Sequence, residues 1–307
     1  MTDKKFLLWV KALRLFSLPA SVMPILLAAA YVFSLQHQHG LEADQVRWWL
    51  LPLIMAAGVS YHLGANLISD FHDWKNGVDQ EDTYGSSRIL VQGELPPASL
   101  LYAGYWLIGL GTLLGFIMLY FTGWMLLWFG LAGCLGGVFY TQIKYIALGE
   151  FLIFALFGLL MVAGTVLVLT GTLPAEVWLL ALPLACLTTG ILLANNTRDI
   201  LHDKRVPIKT MPILLGLKFA KVEYCVLLGA AYITVALLVY ARIVDYGSLL
   251  VFLTLPVAVK NIRYISRAKV MQPALIKDGD AMTARLQMIF SIIFISSIVV
   301  DAFLSVN

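Results

Sequence analysis

Apolar runs of about 17–25 residues recur along nearly the whole chain, each long enough for a helix to cross the hydrocarbon core of a bilayer. Nine such runs fall at roughly 15–35, 47–69, 98–119, 123–143, 150–169, 176–195, 222–241, 246–263 and 286–304. They predict an all-α polytopic membrane protein of nine transmembrane helices, because only internally hydrogen-bonded helices of this apolar character can span lipid. Three polar connections are long: 70–97, 196–221 and 264–285. The first holds Gly77, Gly85, Gly93 and the Pro96–Pro97 pair, the second Pro207, Pro212 and Gly216, and the third Pro273 and Gly279, so all three should mix short helix, turn and ordered coil. The remaining links, such as Phe121–Gly123 and Gly171–Ala175, are short.

Composition agrees: 60% of the 307 residues are apolar, 13% are charged, and the mean hydropathy is +0.85, which excludes an ordinary soluble domain. The first apolar run follows Lys4, Lys5, Lys11 and Arg14 and lacks a small-residue cleavage site, so it reads as an anchor rather than a removed signal. Cys134, Cys186 and Cys225 are scattered in or beside apolar runs, with neither a disulfide framework nor metal-ligand spacing. The distribution of charge says more than its total. If alternate connections face one side, 19 of the 21 Lys and Arg residues share the side of the N-terminus, and only Arg47 and Arg242 lie opposite. By the positive-inside tendency the N-terminus and all three long loops are cytoplasmic and the C-terminus is outside. The chain reads as a single domain over 1–307, with two possible four-helix halves at 15–143 and 150–263 and a final span at 286–304.

Two of the long connections begin with acidic stretches. Asn66, Asp70 and Asp73 lie at i, i+4 and i+7, and Asn195, Asp199 and Asp203 at i, i+4 and i+8, so each trio shares one face if its helix continues. A lone Asp here would be a solvated helix end. Two matching clusters at the same end of their spans argue for a cation between them, and oxygen-only donors suit Mg²⁺, which also binds phosphates. A metal so held can neutralise a diphosphate and draw it from carbon as a leaving group. Arg198 sits inside the second cluster, Lys209 follows it, and Lys75 and Arg88 flank the first, all candidates to hold a diphosphate. Lys204, Arg205, Lys218 and Lys221 read better as positive-inside anchors. Tyr140, Lys144, Tyr145 and Glu150 form a further polar group, in which an aromatic face such as that of Tyr140 can stabilise a developing carbocation. Tyr is equally an interfacial anchor, while a carboxylate at Glu150 calls for a partner or a metal at that depth. Asp79, Asn196 and His72 are accessory candidates. His37 and His39 belong to an outer loop, His62 to a span, and His72 and His202 lack a third soft ligand nearby, so no zinc site is expected. There is no P-loop, dinucleotide fingerprint or nucleophile elbow, and nothing suggests nucleic acid.

The residues N66-L-I-S-D70-F-H-D73-W-K-N-G77-V-D79, continuing through S87-R88-I-L-V-Q-G93, resemble the first acidic motif of the UbiA-type intramembrane aromatic prenyltransferases. N195-N196-T-R198-D199-I-L-H-D203 followed by K209-T210 resembles the second, and Y140-T141, K144-Y145 and L148-G149-E150 a third region. The paired Asn, the Arg before Asp199 and the later Lys-Thr are most similar to the menaquinone branch, the 1,4-dihydroxy-2-naphthoate polyprenyltransferases. Three places depart from the pattern: Arg14 is followed by Leu15 where the family usually has Arg-Pro, 141–144 lacks a proline often found there, and Pro207-Ile208 precedes Lys209-Thr210 where a glycine-containing turn is expected. The resemblance implies a helical bundle around a central cavity, capped by cytoplasmic loops. It implies Mg²⁺ on Asn66, Asp70, Asp73, Asn195, Asp199 and Asp203, and catalytic roles for Asp70, Asp73, Asp199, Asp203, Lys209 and Tyr140. It also implies diphosphate contacts from Lys75, Arg88, Arg198 and Lys209, with Asp79, Asn196, Tyr145, Glu150 and His72 as accessories. The substrates implied are a polyprenyl diphosphate, drawn from membrane lipid, and 1,4-dihydroxy-2-naphthoate, giving demethylmenaquinol with loss of diphosphate and CO₂. Other aromatic acceptors, such as 4-hydroxybenzoate or homogentisate, form the alternative. A transporter would place its charges near the midplane rather than at one boundary, and a purely structural membrane protein has little use for two Asn/Asp clusters.

Overall fold

The computed structural model describes residues 2–38 and 41–304; His39 lies outside the described residues. Among them the chain is entirely helical, with an isolated bridge pairing Ile146 with Lys209. In chain order the helices are α1 (Thr2–Ala12), α2 (Pro19–Gln38), α3 (Leu51–Lys75), α4 (Pro97–Thr122), α5 (Met125–Val138), α6 (Tyr140–Lys144), α7 (Gly149–Ile153), α8 (Met161–Thr170), α9 (Glu176–Asp203), α10 (Met211–Tyr240), α11 (Leu255–Ser266) and α12 (Gly279–Leu304). A π-helical segment, Phe154–Leu160, joins α7 to α8, and a 3₁₀ segment, Tyr246–Thr254, leads into α11, so each pair makes one continuous span.

Eight helical segments among the described residues are long and apolar enough to cross a membrane. Nine spans were expected, and the difference lies at 123–143. There α5 has only 14 residues, or roughly 21 Å of helix against a core of about 30 Å. The chain then bends at Phe139 (φ −98°, ψ 11°) into the short α6. That bend carries Tyr140 and Lys144 inward instead of prolonging a straight span.

The helices bearing the two acidic motifs run on past their apolar cores. In α3 the stop is Asn76–Gly77, where Gly77 takes a φ of +73° at the position that follows a helix end. In α9 nothing interrupts the helix until Lys204, and it is the most buried of the spans. α4 packs along α3 at a backbone approach so close that a Cβ on Gly64 would lie 2.8 Å from the Gly104 carbonyl. α10 packs likewise along α9. α12 closes the bundle against α2 and α9.

The three polar connections meet at the end of the bundle reached by the C-termini of α3 and α9. Ser87 of the first donates its backbone N–H to Asp70 Oδ2 at 3.3 Å. Gly85 sits so close to the second motif that a Cβ there would lie 2.9 Å from Asp199 Oδ2 and 3.0 Å from Asn195 Oδ1. The second connection lays Lys209 N on the Tyr145 carbonyl (2.9 Å). The third brings the Lys277 carbonyl and Asp280 onto Arg198.

Candidate active site

The helical spacing read from the sequence has a direct structural consequence: Asn66, Asp70 and Asp73 project from one face of α3, and Asn195, Asp199 and Asp203 from one face of α9, into a single cavity of about 150 Å³. Asp79, Asn196 and Tyr140 line it too. Asp70 and Asp73 are buried, and each has a protein cation beside it. Arg14 Nη1 lies 3.5 Å from Asp70 Oδ1, and Lys144 Nζ lies 3.5 Å from Asp73 Oδ2. Asp73 also accepts from Tyr145 Oη at 2.6 Å and from Ser69 Oγ at 3.3 Å. Burial opposes the charge on Lys144, but Asp73, with Tyr140 and Asp203 near, holds its ammonium above the usual lysine range. Burial, reinforced by Asp73 and Asp70, pushes the Asp79 carboxyl up to about 8.

On α9 the arrangement differs. Arg198 is buried and donates Nε and Nη2 to the two oxygens of Asp199 (both 2.8 Å). Its Nη1 donates to Asp280 Oδ2 (2.8 Å) and the Lys277 carbonyl (3.1 Å), and a second Nη2 bond goes to Asn195 Oδ1. A guanidinium has five N–H donors, and these five contacts take all of them. Arg198 is absent from the lining of the cavity. Asn196 turns its amide to Glu150 Oε1 (2.9 Å) behind the cavity wall, where Glu150 is buried but does not line the space.

Several predicted residues stand elsewhere. Lys75 and Lys209 are exposed and do not line the cavity, and Lys209 is held there by its backbone alone. Arg88, in a left-handed conformation (φ 61°), folds its guanidinium back onto the Glu81 carbonyl of its own loop. His72 is half-buried, edge-on to Phe71, and outside the lining. The cations that do line the cavity are Arg14 and Lys144. Arg14 comes from the left-handed break (φ 53°) between α1 and α2. The sequence signal for it was a basic residue ahead of Pro19, in the stretch noted only as a departure from Arg-Pro. Asp280 also lines the cavity, and no spacing rule connects it to either motif.

Below the polar cavity lies a second, nearly apolar one of about 240 Å³, walled by α2, α3, α4, α5, α8 and the π segment. The two share Ala65, Tyr140 and Phe157 as lining, so the acidic chamber and the apolar one lie against each other at the Tyr140 ring. Residues 21–277 match the model of the UbiA prenyltransferase family. The chain belongs to that family. Among curated relatives it is 31% identical to UbiA prenyltransferase domain-containing protein 1 of Homo sapiens, over 81% of this chain and 72% of that protein. It is 29% identical to a 1,4-dihydroxy-2-naphthoate octaprenyltransferase of Bacillus subtilis, over 66% of each chain. Among solved structures, a UbiA homolog from Aeropyrum pernix K1 superposes with a TM-score of 0.67 at 17% identity, covering 91% of this chain and 97% of that one. A homolog from Archaeoglobus fulgidus bound to GPP and Mg²⁺ superposes with a TM-score of 0.60 at 16% identity, covering 94% and 99%. The all-α bundle of apolar helices is thus shared with these solved structures.

Proposed function

We propose that this UbiA-family chain transfers a polyprenyl group from a polyprenyl diphosphate to an aromatic acceptor, and that the acceptor is 1,4-dihydroxy-2-naphthoate. The observation that carries the reaction class is the adjacency of two chambers: two acidic helix faces across one cavity, and an apolar cavity that shares Tyr140 with it. A diphosphate suits the first chamber and a hydrocarbon tail the second. The homolog bound to GPP and Mg²⁺ is consistent with that division.

The donor set fits Mg²⁺. Six carboxylates line the cavity, and Arg198 bridges two of them, Asp199 and Asp280, with its single charge. Against the six, Arg14, Lys144 and Arg198 supply three positive charges, a shortfall of three (6 − 3) when every carboxylate is ionised, and burial, reinforced by Asp73 and Asp70, raises the Asp79 carboxyl. No three acidic, His or Cys groups among the described residues converge on one point. That pattern suits an ion held by one or two carboxylates, with water and phosphate oxygens completing its shell. One or two carboxylates from the donor set Asn66, Asp70, Asp73, Asn195, Asp199 and Asp203 would hold each ion, which would supply neutralisation of the leaving diphosphate. Arg14 and Lys144 are placed to bind the diphosphate oxygens, and Tyr145 and Ser69 fix the Asp73 carboxylate. The allylic C–O bond breaks with its electron pair passing to the diphosphate. Tyr140, which lines both chambers, would offer its ring to the allylic cation, and the electron-rich acceptor ring would close the new C–C bond. The apolar channel keeps water from the cation.

For the acceptor, support comes from Asn195-Asn196, from Arg198 before Asp199, from Lys209-Thr210, and from the Bacillus subtilis relative. On that reading the ring carboxylate leaves as CO₂ and the product is demethylmenaquinol. With α5 and α6 counted as a ninth crossing, the strong bias of basic residues supports a cytoplasmic acidic end and a C-terminus outside; the Bacillus subtilis relative favours a bacterial inner membrane. The test is product analysis by mass spectrometry with purified protein, 1,4-dihydroxy-2-naphthoate and a polyprenyl diphosphate, with and without Mg²⁺, and with 4-hydroxybenzoate in parallel. A metal-dependent, decarboxylated prenyl-naphthoquinol is expected. Prenylated hydroxybenzoate instead would overturn the acceptor and keep the reaction; no product with either would overturn both.

A further inference from the structure

Away from the active site, α11 carries a stripe that nothing in the prenyl-transfer chemistry uses. Pro256, Val259, Lys260, Arg263, Tyr264 and Arg267 follow one another at helical spacing, so they share one face. Together with Leu255 and with Met282 of α12 they line an open groove of about 620 Å³. The groove is graded. Its end at the start of α11 is apolar, with Leu255 and Val259 exposed, and its other end holds three exposed cations over 8 residues, about 10 Å along the axis.

Three observations separate this groove from generic basic anchoring. First, no carboxylate lines it, and among the described residues none of the three cations makes an ion pair. Second, its walls are tied in place: Asn261 Nδ2 donates to the Met282 carbonyl at 3.0 Å, the Asp278 N–H to Tyr264 Oη at 3.4 Å, and Lys221 Nζ of α10 to the Ser266 carbonyl at 2.7 Å. Third, the order along the helix, apolar then cationic, matches a molecule with an acyl chain and a negatively charged head. Arginine forks suit phosphate oxygens, and basic pockets between spans are where anionic headgroups bind.

We infer that the α11–α12 groove is a binding site for an anionic phospholipid, its phosphate on Lys260, Arg263 and Arg267 and its acyl chain along Val259 and Leu255. This site is independent of the reaction and of the acceptor.

The test is native mass spectrometry of the purified full-length protein with phosphatidylglycerol or phosphatidylcholine at equal concentration. Three variants accompany it. In the groove triple variant Lys260, Arg263 and Arg267 become Gln. A control triple variant makes the same charge change at the exposed Lys5, Lys204 and Lys218. Met282→Trp fills the groove without touching charge. Expected is a phosphatidylglycerol preference in the unaltered protein, weakened about fivefold per cation removed in the groove triple variant, weakened also by Met282→Trp, and retained in the control. Equal loss in both triple variants would reduce the effect to general surface charge and overturn the site. So would the absence of any headgroup preference, retention of binding in the groove triple variant, or full binding with Met282→Trp. Helical circular dichroism checks that each variant is folded, and all the substituted cations are exposed.

Discussion

Arg198 is where the geometry and the sequence pattern make different predictions. Placed one residue before Asp199, it reads as a diphosphate ligand; in the structure its five donors are all taken by protein acceptors. The Arg198 side chain is 1% exposed and the Asp199 and Asp280 side chains 13% and 18%. Breaking a buried ion pair by removing one partner costs about 3–5 kcal/mol, because the remaining charge is left without a counterion. Arg198→Ala strands two carboxylates and should reach that range. Arg198→Lys keeps the charge but has three donors that cannot fork. The loss of two charge-assisted bonds, each worth about 1.5–3 kcal/mol, should lower stability by roughly 3 kcal/mol after relaxation. The assay pairs thermal unfolding, followed by tryptophan fluorescence in detergent, with steady-state kinetics against the prenyl diphosphate. Unfolding several degrees lower is expected for Arg198→Lys, with a shift in the same direction for Asp280→Asn, which removes one acceptor of the same clamp. An unchanged unfolding temperature together with a raised KM for the diphosphate would refute the clamp and restore Arg198 as a ligand.

Other positions give further tests. Tyr145→Phe removes the 2.6 Å bond to Asp73, worth about 1.5–3 kcal/mol to a charged acceptor, and should lower kcat/KM by roughly ten- to a hundredfold while leaving the fold intact. Gly85→Ala sets a methyl 2.9 Å from Asp199 Oδ2 and 3.0 Å from Asn195 Oδ1. A displacement of the second motif by a few tenths of an ångström should cost about tenfold in turnover, with unfolding temperature nearly unchanged; wild-type turnover would show that the loop yields instead. Lys144→Met should abolish most activity, because it removes one of two cations lining the cavity, whereas Lys75→Met and Lys209→Met should change turnover by less than about threefold. The reverse order in that comparison would return the diphosphate to the flanking lysines.

The parts legible in the sequence were those governed by period. Apolar run length predicted the spans, and the i, i+4, i+7 spacing placed Asn66, Asp70 and Asp73 on one face of α3 because no breaker intervenes before Gly77. The same holds for α9 as far as Lys204. Residues 123–143 mark the limit of run length: they are apolar throughout, yet the bend at Phe139 divides them and leaves α5 shorter than the other spans. Close packing acts on that stretch as well as hydropathy: a Cβ added at Gly137 would lie only 2.8 Å from Ile108 Cδ1.

The choice of cations was not legible, and helix phase explains why. Lys75 lies two residues after Asp73, about 200° around the helix, so nearness in sequence carries it away from the cavity. Arg14 and Lys144 come from segments about 50–70 residues away from the aspartates they meet, and each enters at a break in helical backbone, the left-handed turn at Arg14 and the bend before α6. The same logic separates the two motifs. Both look like carboxylate sets awaiting a metal, but on α9 an internal arginine already occupies both oxygens of Asp199, while on α3 the counterions are borrowed from other helices at 3.5 Å. Loosely paired carboxylates are the ones a divalent ion can recruit without first breaking a short bidentate bridge. Metal should therefore engage the α3 motif and Asp203 first, with Asp199 released only if Arg198 gives up its fork. Substituting Asp73 should weaken Mg²⁺ activation more than substituting Asp199, and equal effects on the Mg²⁺ dependence of turnover would show that the bridge opens freely.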